Sequence, residues 1–177
     1  MSESVLLFGR DSPFMLRLTE HIRSKKYKVH FAQTGPEGLG IIQRNDIDVV
    51  VINVNDLETE VVQILDSLKQ TRPLTEFITL TSPTTIHWSI EGMKRGAFAD
   101  LIIPFDLEDL VARIREAGAR RKARKRRRKK SLRTRLEDLM VSATFAESGS
   151  FDAARQIIEE GQKRKDNLKK EQDNEKS

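Results

Sequence analysis

The sequence predicts an α/β protein whose doubly wound, five-stranded parallel sheet is followed by an all-helical C-terminal extension. Three observations lead to this fold class. Short apolar runs alternate five times with amphipathic stretches before residue 118, and the connections between them are short. The run at 48–53 is apolar on both faces, as a strand covered by helices on each side must be. After residue 106 helical periodicity continues, but no further strand pattern follows.

The first two strand–helix units precede residue 48. SVLLFG at 4–9 is a short apolar strand, and Pro13 opens an amphipathic helix, because proline suits the first position of a helix. YKVHFA at 27–32 alternates apolar and polar residues with period two, which predicts a half-buried or edge strand. The second helix begins near Pro36.

The remaining units follow the same pattern, and the run at 48–53, the most continuously apolar, is the predicted central strand. Short connections favour the sheet order 2-1-3-4-5. This order places the functional crevice at the carboxyl ends of strands 1 and 3, at residues 9–11 and 53–55. The other predicted elements are a helix over 61–70, a strand over 76–81, a helix over 84–96, a strand over 99–103 and a helix that begins at residue 106.

Length and composition limit the class of protein. The 177 residues suffice for one ordinary domain and an appendage. Because the chain has no cysteine, disulfides and thiolate metal sites are excluded. No apolar run approaches membrane-spanning length, and the N-terminus lacks a basic region followed by a long apolar one. We therefore expect a cytoplasmic protein with no integral membrane segment.

Five landmark residues stand near the carboxyl ends of the predicted strands. They are Arg10 and Asp11 after strand 1, Asn53 at the tip of strand 3, Thr81 at the end of strand 4 and Ile103 before Pro104-Phe105. With Gly96-Ala97, this order over roughly residues 4–117 resembles the receiver domain of bacterial two-component response regulators, which has a flavodoxin-like, CheY-like fold. The resemblance implies that Arg10 and Asp11 stand at a pair of metal-binding acids and Asn53 at the phosphoacceptor aspartate. It also implies that Thr81 keeps a hydroxyl position and that Ile103 replaces a lysine.

The departures from the family pattern all affect the same chemistry. Phosphoryl transfer to a carboxylate needs an anionic oxygen, a hard cation held by oxygen ligands and a positive group. Asn53 offers a neutral amide, Arg10 puts a cation where a ligand is needed, and Ile103 removes an ammonium group. Only Asp11 and Thr81 survive. The sequence therefore predicts a pseudo-receiver with no catalytic residue, no metal site and no cofactor.

Two alternatives stay open in this pocket. Arg10 either occupies the space left by the metal and pairs with Asp11, or it points into solvent. Asp56 and Glu58, in the loop after strand 3, are either ordinary solvated acids or substitute acceptors for phosphate.

A surface for a partner is predicted on the fourth helix and the fifth strand. The helix carries Trp88 and Met93, and tryptophan is favoured at the centre of interfaces. Asp100 stands where the resemblance implies an aromatic switch residue. Apolar residues at this spacing also suit a helix face that packs on the core, so both interpretations stay open.

A short basic block supplies the whole excess of positive charge. Residues 1–117 have a net charge of −4 and residues 136–177 a net charge of −3, whereas residues 120–135 hold 12 basic side chains and no acid. Repulsion between like charges predicts that the block is frayed until an anion neutralises it. Nucleic acid bound through its phosphates, an acidic protein surface and anionic lipid headgroups are adequate partners, and a solvated connector is the alternative. The predicted polyanion-binding residues are Arg120, Arg121, Lys122, Arg124, Lys125, Arg126, Arg127, Arg128, Lys129 and Lys130.

Beyond the block the sequence predicts a helical hairpin. Leu132, Leu136 and Leu139 form one helical stripe, and Ser150 suits the N-cap of a second helix. A single hairpin cannot bury its apolar face alone, so it must pack on the receiver-like domain, on a second copy or on another protein. The spacing is similar to that of a single tetratricopeptide-type unit at Phe145, Gly149, Phe151, Ala154, Ile158 and Gly161.

These observations predict four segments: a receiver-like domain over 1–118, a basic linker or helix extension over 119–131, a helical hairpin over 132–162 and a polar tail over 163–177. The leading functional hypothesis is a non-catalytic signalling protein of the two-component type that acts through a protein partner or through self-association by the hairpin. The second is a nucleic-acid-associated regulator that uses the basic block. The third is a working phosphoacceptor.

Overall fold

A five-stranded parallel sheet forms the centre of the fold. The computed structural model describes residues 3–57 and 60–147. Its strands have the order β2-β1-β3-β4-β5, which confirms the order predicted from the sequence. The elements are β1 Ser4–Phe8, α1 Pro13–Ser24, β2 Lys28–Ala32, α2 Gly35–Arg44, β3 Val49–Asn53, α3 Val54–Leu57, α4 Glu60–Thr71, β4 Glu76–Thr81, α5 Ile86–Lys94, β5 Ala99–Ile102 and α6 Leu107–Glu147.

Helices cover both faces of the sheet, because the strands are apolar on both sides. All five residues of β3 are buried, as expected of the central strand. One buried cluster joins alternate β1 and β3 residues such as Leu6 and Val50 to α2 and α4. The other joins Leu7 and Val51 to α1 and the start of α6. The side chains of successive residues in a strand therefore pack in different clusters, one on each face of the sheet.

Local signals explain where the helices begin. Ser12 caps α1 by accepting a hydrogen bond from the backbone N–H of Met15 at 3.2 Å, and Pro13 follows as the first helical residue. The single turn α3 directly after β3 was not predicted from the sequence. The predicted fourth helix begins at Ile86 and not at residue 84, because Thr85 directs its hydroxyl to Asn55 and to Ser82.

Helix α2 lies so close to β1 that one of its positions must be glycine. A Cβ atom on Gly38 would lie 1.9 Å from the nearest ring carbon of Phe8, which is fully buried. The ring of Phe8 cannot move aside for a larger residue, because it is packed in the core.

Helix α6 continues without a break through the basic block to Glu147. Of the two forms predicted for this segment, a linker frayed by repulsion and a helix extension, the structure has the helix extension. The physical reason in its first half is that several of its cations meet acids of the sheet and of the loops beside it, as described below.

The chain divides into two compact units, Met1–Lys125 and Arg126–Ser177. The first unit contains the sheet, helices α1 to α5 and α6 as far as Lys125. Of the second unit the structure describes α6 from Arg126 to Glu147. The second half of the predicted hairpin and the polar tail lie outside the described residues. No helix in the described part of the chain is long and apolar enough to cross a membrane.

Candidate functional site

The carboxyl ends of the strands bring the predicted pocket residues to one edge of the sheet. Asn53, at the tip of β3, is paired in register with Leu80, one residue before Thr81. Gly9 follows β1, and a Cβ atom there would lie 2.8 Å from Asp56 Oδ2 and 3.2 Å from Asn53 Cβ. The strand order alone therefore accounts for the meeting of the predicted residues.

Asn53 is buried, and its amide is used on both sides. Its Nδ2 donates a hydrogen bond to Asp56 Oδ2 at 2.7 Å, and its Oδ1 accepts one from Asn55 Nδ2 at 3.1 Å. Asn55 in turn accepts a hydrogen bond from the Thr85 hydroxyl at 2.7 Å. The amide thus belongs to a chain of polar contacts that joins β3, α3 and the start of α5.

Among the described residues, Asp56 is the acid in direct contact with Asn53. Its Oδ2 accepts hydrogen bonds from Asn53 Nδ2 and, at 3.0 Å, from the backbone N–H of Arg10. One carboxylate oxygen therefore ties the loop after β1 to the tip of β3. Glu58, the other acid considered as a substitute acceptor, lies outside the described residues.

Arg10 and Asp11 are both exposed. No ion pair forms between them, so of the two alternatives for Arg10 the structure has the solvent-exposed one. Arg10 contributes to the pocket through its backbone N–H, not through its guanidinium. Among the described residues, no group of three or more His, Asp or Glu side chains is arranged to hold a metal ion.

Thr81 is fully buried and directs its hydroxyl to the neighbouring strand. It donates a hydrogen bond to Asp100 Oδ2 at 2.8 Å, while Thr79 donates to Asp100 Oδ1 at 2.6 Å. Both carboxylate oxygens of Asp100 are thus engaged within the sheet. Asp100 was predicted as part of a partner surface; the structure instead places this half-buried carboxylate across β4 and β5.

Ile103 brings no charge to the pocket. Its side chain is half-buried and packs against the cluster formed by α1, α6 and the sheet. Its backbone N–H donates to the carbonyl of Thr81 at 2.7 Å, and a cis peptide bond joins it to Pro104.

The predicted partner surface on α5 divides into two parts. Trp88 is half-buried and packs against the core, with the ring of His87 5.0 Å from its own. Met93 is 48% exposed, and Ile86 and Ile90 on the same helix are exposed as well. The core interpretation fits Trp88, and the partner interpretation stays a prediction for Met93.

Arg121 is the central contact of the first half of the basic block. It is 5% exposed and directs one guanidinium nitrogen to Asp48 and another to Asp46. Asp48 also accepts a hydrogen bond from the backbone N–H of Ser4 at 2.8 Å. The arginine therefore joins α6 to the amino ends of β1 and β3.

A second arginine of α6 reaches a buried acid. Glu76, the first residue of β4, is 2% exposed and accepts a hydrogen bond from Arg124 Nη1 at 2.9 Å. Arg120 Nε lies 3.7 Å from the same carboxylate oxygen, and its guanidinium lies 5.6 Å from the ring centre of Phe98. The two arginines supply the charge that a buried carboxylate requires.

Two lysines complete these contacts. Lys122 Nζ lies 2.6 Å from Glu3 Oε1, and this hydrogen bond raises the pKa of Lys122. Lys125 Nζ lies 2.9 Å from Asp46 Oδ2. The hydrogen bond from Lys125, followed by that from Arg121, lowers the pKa of Asp46. Residues 120–125 therefore face a set of four acids, Glu3, Asp46, Asp48 and Glu76, which we call the amino-end acids.

The second half of the block, Arg126–Lys130, lacks the ion pairs that the first half makes with the amino-end acids. The five residues Arg126–Lys130 are all exposed. In the part of the chain that the structure describes, none of the five forms an ion pair with an acid. The structure thus separates the ten predicted polyanion-binding residues into two groups of five.

The sequence analysis did not predict the acidic partners of the cations in residues 120–125. The amino-end acids are separated by up to 119 positions from the cations they meet, so no local pattern joins them. The available signal was an acid placed immediately before, or at the start of, an otherwise apolar strand, at Asp48 and Glu76. Such an acid needs a cation nearby if the strand is to be buried.

In a comparison with protein families, residues 6–115 match the response regulator receiver domain. Curated relatives resemble the chain over the same region. The transcriptional regulatory protein GlrR of Escherichia coli is 28% identical over 113 residues, which are 63% of this chain and 26% of that protein. The response regulator MprA of Mycobacterium sp. (strain KMS) is 29% identical over 115 residues, 65% of this chain and 50% of that protein. The chain therefore spans a quarter to a half of the length of these relatives.

Solved structures show the same fold. A response regulator receiver domain protein from Clostridium thermocellum is 28% identical, with a TM-score of 0.63, and covers 68% of this chain and 98% of that chain. A CheY-like receiver domain protein from Methanospirillum hungatei has a TM-score of 0.64 at 20% identity, over 70% of this chain and 99% of that one. The second likeness concerns the fold alone.

Proposed function

The chain belongs to the response regulator receiver family, and from that membership we propose that it is a non-catalytic member which transmits a signal through contacts with other proteins. The observation that carries the proposal is Asn53, a neutral amide at the tip of the central strand. A carboxylate oxygen attacks phosphorus as an anion, whereas an amide oxygen is a poor nucleophile. The family therefore supplies the two-component setting, and the pocket argues against phosphoryl transfer.

The hydrogen bonds of Asn53 support this proposal. Its Nδ2 is bound to Asp56, and its Oδ1 accepts a hydrogen bond from Asn55. Both polar atoms of this amide are therefore used in hydrogen bonds within the fold. A group that reacted with phosphate would have to give up these hydrogen bonds. Asp56 is held in the same way, since its Oδ2 accepts hydrogen bonds from two N–H groups. These hydrogen bonds favour a structural role for Asp56 over a role as phosphoacceptor.

The pocket also suits a magnesium ion poorly. Magnesium prefers several hard oxygen ligands with near-octahedral geometry. Arg10 stands where the family resemblance requires an acid, and Asp56 Oδ2, a carboxylate oxygen beside Asn53, is bound by two N–H donors. Ile103 and Thr81 give no compensation, because the first is apolar and the hydroxyl of the second is bound to Asp100.

The test is incubation of the full chain with acetyl phosphate and magnesium, followed by measurement of the intact mass. We expect no added phosphoryl group under conditions in which a receiver domain with an intact acid set is labelled. A phosphoryl adduct that the Asp56→Asn variant fails to form would establish Asp56 as an acceptor and overturn the proposal. An adduct that survives in that variant would point to another acceptor, with the same consequence.

We further propose that the partner is a signalling protein or a second copy of the chain, bound through the helical segment after residue 131. Leu132, Leu136 and Leu139 are 56%, 59% and 65% exposed and lie on one stripe of α6. Exposed apolar stripes of this kind mark interaction surfaces. Sedimentation of the full chain and of a Leu132→Ser, Leu136→Ser, Leu139→Ser variant tests self-association. An unchanged mass would remove the second copy and leave a heterologous partner.

A second function, binding of nucleic acid by the basic block, is favoured by one specific observation. The five cations of Arg126–Lys130 are exposed on a continuous helix. Closely spaced cations bind phosphates by charge, with an affinity that falls steeply as the salt concentration rises. The block lacks aromatic side chains that could stack on bases, so such binding would not depend on sequence.

A further inference from the structure

The two halves of the basic block have different surroundings, although they are alike in sequence. Each half contains five cations, Arg120–Lys125 and Arg126–Lys130, with Ala123 as the one neutral residue among them. Ionic contacts with acids of the fold involve the first five, and the last five are exposed. The ten cations therefore do not form one binding surface.

The first half is engaged with the fold by charge and, at Arg121, by burial as well. Its other four cations are themselves exposed, but each meets an acid of the fold. Arg121 is 5% exposed, and Glu76, which receives Arg124, is 2% exposed. A phosphate that took either arginine would leave a buried or half-buried carboxylate without its cation. Such a loss is costly in a protein interior, so a ligand in water would compete poorly for these residues.

The second half has the geometry that a groove requires. Successive residues of an α-helix are turned by about 100° from one another, so five consecutive cations point in all directions around the axis. A groove of nucleic acid presents phosphates on two sides of an inserted helix. It can therefore reach cations that face in opposite directions.

A lipid surface fits the second half less well. A helix that lies in a membrane interface needs an apolar face to bury among the acyl chains. The stretch from Arg124 to Ser131 has no apolar residue. A flat surface would also leave the cations on the far side of the helix in solvent.

We propose that Arg126–Lys130 form a site for the phosphates of double-stranded nucleic acid, and that Arg120–Lys125 are internal counter-ions which take no part in it. This proposal rests on the second function given above and narrows its site. It assigns to neighbouring, similarly charged residues two separate tasks. One group holds α6 to the amino ends of the strands, and the other binds a ligand.

The experiment compares two variants of the full chain that change charge equally. The outer variant carries Arg126→Gln, Lys129→Gln and Lys130→Gln. The inner variant carries Arg120→Gln, Lys122→Gln and Lys125→Gln, which keeps the two most engaged arginines. Each replaces one arginine and two lysines, so each lowers the formal net charge of +5 by three. Binding to a labelled duplex of mixed sequence is followed by fluorescence anisotropy between 50 and 200 mM salt, which are about the limits within which such slopes are usually measured.

For the natural chain, five phosphate contacts predict a slope of about −4.5 in a plot of log affinity against log salt concentration, from about 0.9 per contact. We expect the outer variant to lose roughly 500-fold in affinity at about 0.1 M salt and to show a slope of about −1.8. The inner variant should change in affinity by less than about threefold, with an unchanged slope. Urea unfolding of the same proteins should give the opposite ranking, with the inner variant alone destabilised.

Four results would overturn the proposal. If the natural chain fails to bind the duplex at the lowest salt concentration, the second function itself is lost. If both variants lose affinity equally, the chain binds nucleic acid but its site is not divided. If the inner variant loses more, the assignment is reversed. If the natural chain binds vesicles of phosphatidylcholine and phosphatidylserine but not the duplex, the ligand is a lipid surface.

Discussion

The two ends of the parallel sheet treat charge in opposite ways. At the carboxyl end Arg10 and Asp11 are exposed, and the buried polar groups of the pocket, the amide of Asn53 and the hydroxyl of Thr81, are neutral. At the amino end Arg121 and Glu76 are themselves buried, each in contact with an opposite charge. An exposed charge is solvated whatever its neighbours are, whereas a buried charge depends on its partner. Removal of an exposed charge at the carboxyl end should therefore cost little stability, whereas removal of a buried charge at the amino end should cost much.

The largest expected effect is that of Arg121→Met, which tests the amino end directly. Removal of the guanidinium leaves Asp46 and Asp48 without their shared cation. We expect the free energy of unfolding to fall by about 3 kcal/mol, measured by urea denaturation. The matched control is Arg127→Met, an exposed arginine of the same helix, which should change stability by less than about 0.5 kcal/mol. Equal losses of stability in the two variants would contradict the claim that the amino end depends on its buried charges.

The substitution Asn53→Asp sharpens the comparison from the carboxyl end. It places a second carboxylate beside Asp56, where Nδ2 now donates at 2.7 Å. Repulsion and the lost hydrogen bond should lower the free energy of unfolding by about 1.5 kcal/mol at neutral pH. The loss should shrink in acid, because protonation of either carboxyl restores a donor.

The exchanged variant, Asn53→Asp with Asp56→Asn, serves as the control for that prediction. It keeps one amide and one carboxylate at the two positions, so most of the stability should return. A single variant as stable as the natural chain would mean that the Asn53–Asp56 contact has no energetic weight.

The amino end should respond to acid in the opposite sense. The hydrogen bonds that Asp46 accepts, first from Lys125 and then from Arg121, lower its pKa from the ordinary value of 3.8. A carboxyl with a lowered folded pKa stabilises the protein above its unfolded pKa, and this contribution is lost as the pH falls through the folded value. We expect the stability of the natural chain to decline below about pH 4 and that of Asp46→Asn to decline less there. Thermal unfolding across this range measures the difference; parallel curves would contradict it.

The smallest expected effect is that of Arg10→Ala. The guanidinium is exposed and forms no ion pair with Asp11, while the contact made by Arg10 uses its backbone N–H. The change in the free energy of unfolding should stay within about 0.5 kcal/mol by urea denaturation. A loss above about 1 kcal/mol would show that the pocket end relies on this charge after all.

The sequence was sufficient for the sheet and its order. The continuously apolar run of β3, the period-two pattern of β2 and Pro13 at the start of α1 each depend on residues close together in the chain. Parallel connections then leave few topologies open. The same reasoning predicts that Asn53 and the residues after β1 lie at one edge of the sheet.

The contacts of individual side chains could not be predicted from the sequence. Arg121 lies 73 residues from Asp48 in the chain, and nothing local to either indicates the other. Asp100 stands in an apolar strand where its two threonine donors could be found only once β4 and β5 were aligned. The sequence alone does not indicate what stabilises the helix over residues 120–125, since the acids that these cations meet come from distant parts of the chain.

The reach of α6 along the sheet has a practical consequence for anyone who divides this protein into pieces. The family match ends at residue 115, and a fragment cut there, or at residue 118, would lack Arg121 and Arg124. A cut at residue 115 would also remove Ala117, which is buried in the core. In either fragment the carboxylates of Asp48 and Glu76 would lose their arginine partners at the amino ends of the strands. Homology thus gives a misleading place to cut, and an autonomous receiver fragment should extend through Lys125.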